Sequence, residues 1–434
     1  MSLLNTDYAV YLPAVNDSYA AEVLKPLPPN RPFPAGLTLE DLIFWNRKNQ
    51  LWHYSHLLHS VGLHAVGSEP DNAVTRAGRT DCVLLGDSGG YQIGTGKLKG
   101  YRELEAGMDA ASAQATWAGA YSVRRWILDW LELHTDYAMT IDMPLWATLP
   151  KGEASPFHRC SQQALTDMTV ENLRFIDTHR QGRTRWLNVI QGLDEPSTLA
   201  WWQAVSWFDC SGYALAGAAG VKGGIANVLH ILLTLRDDGA LAEGRDWIHV
   251  LGVSTPKWAI LLSAIQRALR QHVNPRLQIS FDSATPFQAA GIREEVAIMP
   301  NYTSRPRDWA IRFERVEQSA QLAGSNEPFP YASPIGNRLT MGDLNVHGGD
   351  WSHRSFDTIS NVLLCNHNCW VMLDAFRQAN ELAFESDGAS VPAQWQECLE
   401  VIEEIFATSD WKNTLAANAE ILHLVASSEY NTQM

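Results

Sequence analysis

Six short apolar runs, each ending in polar or glycine-rich residues, constrain this chain more than any other feature. They are CVLLGDSGG (82–90), YAMTIDMP (137–144), RWLNVIQG (185–192), GYALAGAAG (212–220), IHVLGVSTP (248–256) and LQISFDSATP (277–286). Helical periodicity fills the gaps between several of them. In PKWAILLSAIQRALRQHV (256–273), Trp258, Leu261, Leu262, Ile265 and Leu269 fall on one face. Strand-then-helix alternation at this spacing predicts βα units around a parallel sheet. Polar residues gather where the apolar runs stop: Asp87 and Ser88, Asp142, Gln191 and Gly192, Gly217, then Asp282 and Ser283. Barrels and doubly wound sheets both bind ligands at that end of their strands. No G-x-G-x-x-G turn opens a helix after an early strand, so the expected fold is an α/β (β/α)8 TIM barrel with irregular insertions and extra C-terminal helices. Residues 1–40, rich in proline, are expected to be an N-terminal lead-in. Residues 41–385 are expected to form the barrel, with 329–355 an irregular insert, and 386–434 a helical extension.

The composition fits an enzyme with a large core: 434 residues, 46% hydrophobic, with 17 tryptophans read mostly as core. No apolar run approaches the roughly 20 residues of a membrane span, and no signal peptide is apparent. Six cysteines without a disulfide rhythm point to a reduced, cytoplasmic setting. The net charge of −15 argues against a protein that merely coats nucleic acid, while leaving room for a local basic face.

The stretch LLGDSGGYQIGTGKLKG (84–100) admits three readings. Its GDSGG core matches the nucleophile segment of chymotrypsin-like proteases, but only 87 residues precede Ser88 and no upstream histidine has suitable flanks. Its tail resembles a phosphate loop, but the spacing from Gly90 to Gly96 is wrong and Lys97 is followed by Leu98, so the magnesium-binding hydroxyl is missing. The third reading is a carboxylate, Asp87, at a strand end, with glycines leaving room for a flat ligand. Asp282 in ISFDSATP supplies a second strand-end carboxylate. Two carboxylates around one reacting carbon suit glycosyl transfer, one attacking the sugar and the other handling a proton. The same pair could serve a barrel glycoside hydrolase.

LLGDSGGYQI resembles the D-S-G-G-F-Q motif of the tRNA-guanine transglycosylase superfamily. YAMTIDMP, NVIQG, GYALAGAAG, HVLGVSTPKW, ISFDSATP and the late histidine-asparagine helix LLCNHNCWVMLDAF follow in that family's order, over roughly residues 80–380. The resemblance implies Asp282 as the nucleophile and Asp87 as the general acid/base. It implies a base pocket lined by Ser88, Asp142, Gln191, Gly192, Gly217 and Ala218, with Gln92 near sugar or phosphate. Chemistry agrees: a carboxylate can accept from the N–H groups on a purine's Watson–Crick edge, and a carboxamide can meet its O6 and N7.

Two departures refine the expectation. Lys222 stands where bacterial members carry a glutamate tied to an aminomethyl substituent; a lysine there favours the neutral 7-cyano-7-deazaguanine (preQ0). The family's cysteine-rich zinc cluster has no counterpart near 336–341. His347, His353, Cys365, His367 and Cys369 offer ligand types without its spacing, so no cofactor is expected and a structural zinc is doubtful. With that module altered, the chain looks more like the DpdA-type DNA 7-deazaguanine transglycosylases. The expected function is exchange of guanine in DNA for preQ0, with tRNA as the alternative partner and helper proteins for DNA access. Arg305, Arg307 and Lys97 are candidate phosphate contacts.

Overall fold

In the computed structural model the described residues are 3–76, 82–217, 224–346 and 356–427. Eight parallel strands form one sheet: β1 (Val10–Pro13), β2 (His56–Ser60), β3 (Val83–Asp87), β4 (Tyr137–Met139), β5 (Arg185–Ile190), β6 (Gly212–Leu215), β7 (Trp247–Val250) and β8 (Gln278–Ser283). Each pairs with its neighbours in chain order, β8 pairs with β1, and a parallel bridge between Ala14 and Leu58 brings β1 against β2. This is the expected (β/α)8 barrel. All six runs read as strands are strands.

The expected boundary at residue 40 shifts. The first barrel strand, β1, lies inside the segment taken as a lead-in. VYLP is too short and too close to prolines to announce itself, but it is wholly buried between β8 and β2.

The helices start where their sequences say they should. Thr255 caps the helix Pro256–His272, its hydroxyl accepting from Trp258 N–H, with proline in the first turn. Asp194 and Ser197 form a capping box on Glu195–Val205, and Ser161 caps Gln162–His179. After β8 the chain detours through an antiparallel hairpin, β9 (Glu295–Ile298) and β10 (Arg312–Arg315), before the helix Thr358–Phe384 completes the outer ring. The hairpin is not evident in the sequence, since its strands are short and charged. The expected insert at 329–355 is irregular over its described part, apart from short turns and the helix Met341–Leu344. Helices Ala393–Ala407, Trp411–Ala417 and Ala419–Ser427 form the C-terminal extension. No helix among the described residues is long and apolar enough to cross a membrane. No disulfide joins any two cysteines among the described residues.

The barrel interior is layered. Trp247 of β7 lies against Tyr137 of β4 and His56 of β2, with ring centroids 4.6 Å and 6.2 Å away. These strands are not neighbours, so the three rings meet inside the barrel and floor it near its amino end. Strand alternation then places His249 on the same inward face one step up, and Ser280 and Asp282 on the facing β8 register. The floor is aromatic and the mouth acidic.

Candidate active site

The mouth collects residues from the carboxyl ends of seven strands, β2 to β8. Asp87 ends β3 and sits opposite Ser60 of β2, whose hydroxyl it accepts from; Gly89 N–H also donates to its Oδ1 (3.2 Å). Gly89 has φ +80, which turns the chain sharply into the helix Gly90–Gly94, and a Cβ there would press on Gly62. Burial raises the Asp87 carboxyl above the ordinary carboxylate range. Ser60 and Gly89 pull it down, and the charge of Asp282 pushes it further up.

Asp282, 9% exposed, comes from β8. Its Oδ1 accepts from Gly252 N–H at 3.0 Å, just past β7, and lies 3.3 Å from His249 Nε2. Asp142, after β4, is equally enclosed. Burial, reinforced by the charge of Asp87, pushes its carboxyl up to about 7. Gln191, after β5, donates to Asp142 Oδ2 and to Met143 O (3.1 Å), while its Oε1 accepts from Leu145 N–H (2.9 Å). Both amide protons are therefore engaged. In this state Gln191 aims Asp142 rather than offering its own donors to a ligand.

Ser88 is fully buried and donates to Thr140 O (3.1 Å). That bond ties the turn after β3 to the end of β4 and leaves no protease-like nucleophile. A Cβ on Gly90 would lie 3.1 Å from Asp142 Oδ1, so the missing side chain keeps the acid uncovered on that side. Gly192 has a packing reason to be glycine: a Cβ would fall 1.7 Å from Thr198 Oγ1, in the first turn of the following helix. Gly217 stands just past β6 with φ +75. Gln92 lies against Gly62, with its Oε1 buried and without a hydrogen-bond partner among the described residues. Ala218, Lys222, His347 and His353 lie outside the described residues.

The basic residues divide. Lys97 is exposed on the loop that leaves the Asp87 turn, at the mouth. Arg305 and Arg307 are exposed on the turn joining β9 to β10. The base of that hairpin is held by Asn368, which accepts from Ala297 N–H and donates to Glu295 O. Its tip is held by Tyr302 O–H donating to Ala375 O. Ala375 is seven residues further along the helix, about 10 Å, toward Phe384, which packs beside Tyr8 just below β1. The hairpin thus carries Arg305 and Arg307 away from the acidic mouth, and the structure does not bring them together with Lys97.

The late helix does not offer a metal site. His367 is buried, with Nδ1 against Ser333 Oγ (2.9 Å) and Nε2 against Ala297 O (3.0 Å). The carbonyl can only accept, so Nε2 carries the proton and Nδ1 accepts from Ser333. Neither nitrogen has a lone pair to give. Cys365 and Cys369 are buried thiols held far from ionisation by desolvation. Cys365, His367 and Cys369 do not fit a zinc ion.

Ser60, Gly252, His249 and Ser280 escape a reading of the sequence alone. Their signal is phase: Ser280 lies two residues before Asp282 and His249 faces Ser280 across the register, so all three point inward. No protein-family model matches the chain. No curated protein matches it either.

Proposed function

We propose that the chain is a transglycosylase that exchanges guanine in DNA for preQ0 through a covalent aspartyl–sugar intermediate. The observation that carries this reading is the grouping of Asp87, Asp142 and Asp282 at one barrel mouth, where each of the first two is raised by burial and by a neighbouring acid. The order of motifs resembling the tRNA-guanine transglycosylases supports it.

Asp282 attacks C1′ of a guanosine nucleotide turned out of its stack. The C1′–oxygen bond forms as the C1′–N9 bond breaks, and the bonding pair leaves with guanine. Asp87, whose burial raises its carboxyl above the ordinary carboxylate range, supplies a proton to the departing base. Guanine leaves, preQ0 enters, and the Asp87 carboxylate removes its N9 proton. The new N9–C1′ bond then displaces the Asp282 carboxylate. Asp142, aimed by Gln191, accepts from the N–H groups of either base. Lys97 neutralises backbone phosphate near the mouth.

The test is incorporation of labelled preQ0 into plasmid DNA and, in parallel, into unmodified tRNA. Label is expected in DNA, falling by about 10⁴-fold or more in Asp282→Ala. Label in tRNA alone would overturn the choice of polynucleotide. Label in neither would overturn the transglycosylase reading.

A further inference from the structure

Behind Asp282 a chain of polar groups runs down into the barrel. Trp247 Nε1 lies 2.8 Å from Ser280 Oγ, and His249 Nδ1 lies 2.8 Å from the same oxygen. His249 is completely buried, and its other nitrogen, Nε2, reaches toward Asp282 Oδ1 at 3.3 Å without forming a well-aligned hydrogen bond. An indole N–H can only donate, so Ser280 Oγ accepts from Trp247. The hydroxyl proton of Ser280 then needs an acceptor, and His249 Nδ1 is the one in reach. The opposite arrangement would direct two donors at one hydroxyl and leave a bare Nε2 lone pair facing a carboxylate. Trp247 and Ser280 therefore select the His249 tautomer with its proton on Nε2.

We propose that His249 is a positioning residue for Asp282: locked as the Nε2–H tautomer, it joins Gly252 N–H in holding Oδ1, and so makes Oδ2 the oxygen that attacks. Among the described residues Oδ2 has no hydrogen-bond partner. With Oδ1 bonded by Gly252 N–H and approached by His249 Nε2–H, rotation of the carboxylate to exchange its oxygens is disfavoured. When the aspartyl–sugar bond later breaks, charge returns to a carboxylate whose other oxygen already faces two N–H groups. The loose alignment in the unliganded site leaves room for the contact to tighten as the sugar arrives. The catalytic consequence rests on the transglycosylase reading. The tautomer does not.

Two measurements test this. In protein labelled with ¹⁵N-histidine, the His249 signal, identified by its loss in His249→Gln, is expected to show a protonated Nε2 and an unprotonated Nδ1, with the Nε2 shift moving in Asp282→Asn. The reverse tautomer, or a signal indifferent to Asp282, would overturn the proposal whatever the activity. The second measurement is the single-turnover rate of covalent DNA–protein adduct, read on a denaturing gel. His249→Leu is expected to slow adduct formation about 10- to 100-fold with DNA and preQ0 affinities unchanged, as when one preorganised donor is removed. His249→Gln, whose amide N–H can reach the same oxygen, is expected to recover most of that rate. Loss of affinity in step with rate, or no recovery by glutamine, would mean that His249 only fills space. A wild-type protein that makes no adduct, yet shows the predicted tautomer and its response to Asp282, would sink the transglycosylase reading and leave the positioning contact standing.

Discussion

Asp142 shows how much of the site is electrostatics rather than residue identity. Its carboxyl is raised to about 7 in the fold but titrates in the ordinary carboxylate range once unfolded. The sign follows from linkage. A raised carboxyl favours the folded state fully below its unfolded pKa, and that contribution drains away as pH rises through the folded value. Asp142→Asn removes the ionisable group, so its stability advantage over wild type is expected to grow by a few kcal/mol between pH 4 and pH 8. Urea titrations at several pH values check this, and a pH-independent difference would contradict it. Base affinity in the same variant should fall, because an amide cannot accept both N–H groups of a purine edge. Residue identity and residue role were not equally legible here. The strand-end position of Asp142 could be read from the sequence, whereas the engagement of the whole Gln191 amide depends on where Met143 O and Leu145 N–H turn back after β4. Gly192 likewise looks like a pocket residue in sequence, and only Thr198 explains it. Gly192→Ala is expected to cost about 1–3 kcal/mol or more by overpacking, measured by thermal or urea unfolding.

The helix Thr358–Phe384 is an element whose central Asn-His-Asn is worth more than its apolar faces suggest. Three consecutive buried polar residues point to three different neighbours. Asn366 accepts from Trp52 Nε1 and donates to Leu42 O. His367 bridges Ser333 and Ala297, and Asn368 bonds Pro286 O, Glu295 O and Ala297 N–H. The element therefore clamps the segment between β1 and β2, the insert and the hairpin to the barrel in one turn. Asn368→Ala would strand two buried backbone groups and a half-buried one, and a loss of about 2–4 kcal/mol is expected. Amide exchange at Ala297 should rise ahead of exchange in the barrel strands; uniform change would place the loss elsewhere. Burial holds His367 down to about 4, so its part of the stability is present at neutral pH and lost as pH falls from about 6.5 toward 4. In sequence the motif announces only polar residues in an apolar helix, which suits a remnant of a metal site as well as a clamp. The difference lies in partners more than 30 residues away.

At the scale of the whole molecule, the parallel strands flanked by helices were legible because each buried strand is a continuous apolar run and each helix an amphipathic one. β1 and β2 were not: VYLP is four residues long, and HLLHS hides its barrel phase behind two histidines. The C-terminal helices were visible as helices, but not their purpose. The helix Pro256–His272 is buried around almost its whole circumference, unlike a barrel helix with one face in water. The reason is Ala393–Ala407, which lays Trp395, Cys398, Val401, Ile402, Ile405 and Phe406 inward as a second layer. Trp395 meets Trp309 edge to face at 5.4 Å, linking that layer to the segment between β9 and β10. Further out, Trp411 Nε1 donates to Asp237 Oδ2 and Lys257 Nζ to Val425 O, each at 2.6 Å. If this extension is part of the barrel's core rather than an appendage, its tryptophans should behave as core residues. Trp395→Ala is expected to cost about 3–5 kcal/mol, whereas Trp207→Ala, removing a ring that is 48% exposed, should stay within about 0.5 kcal/mol. Unfolding should remain a single transition in Trp395→Ala, followed by fluorescence and by circular dichroism together. A separate early transition confined to the C-terminal helices would show that the extension folds on its own and that the barrel does not need its second layer.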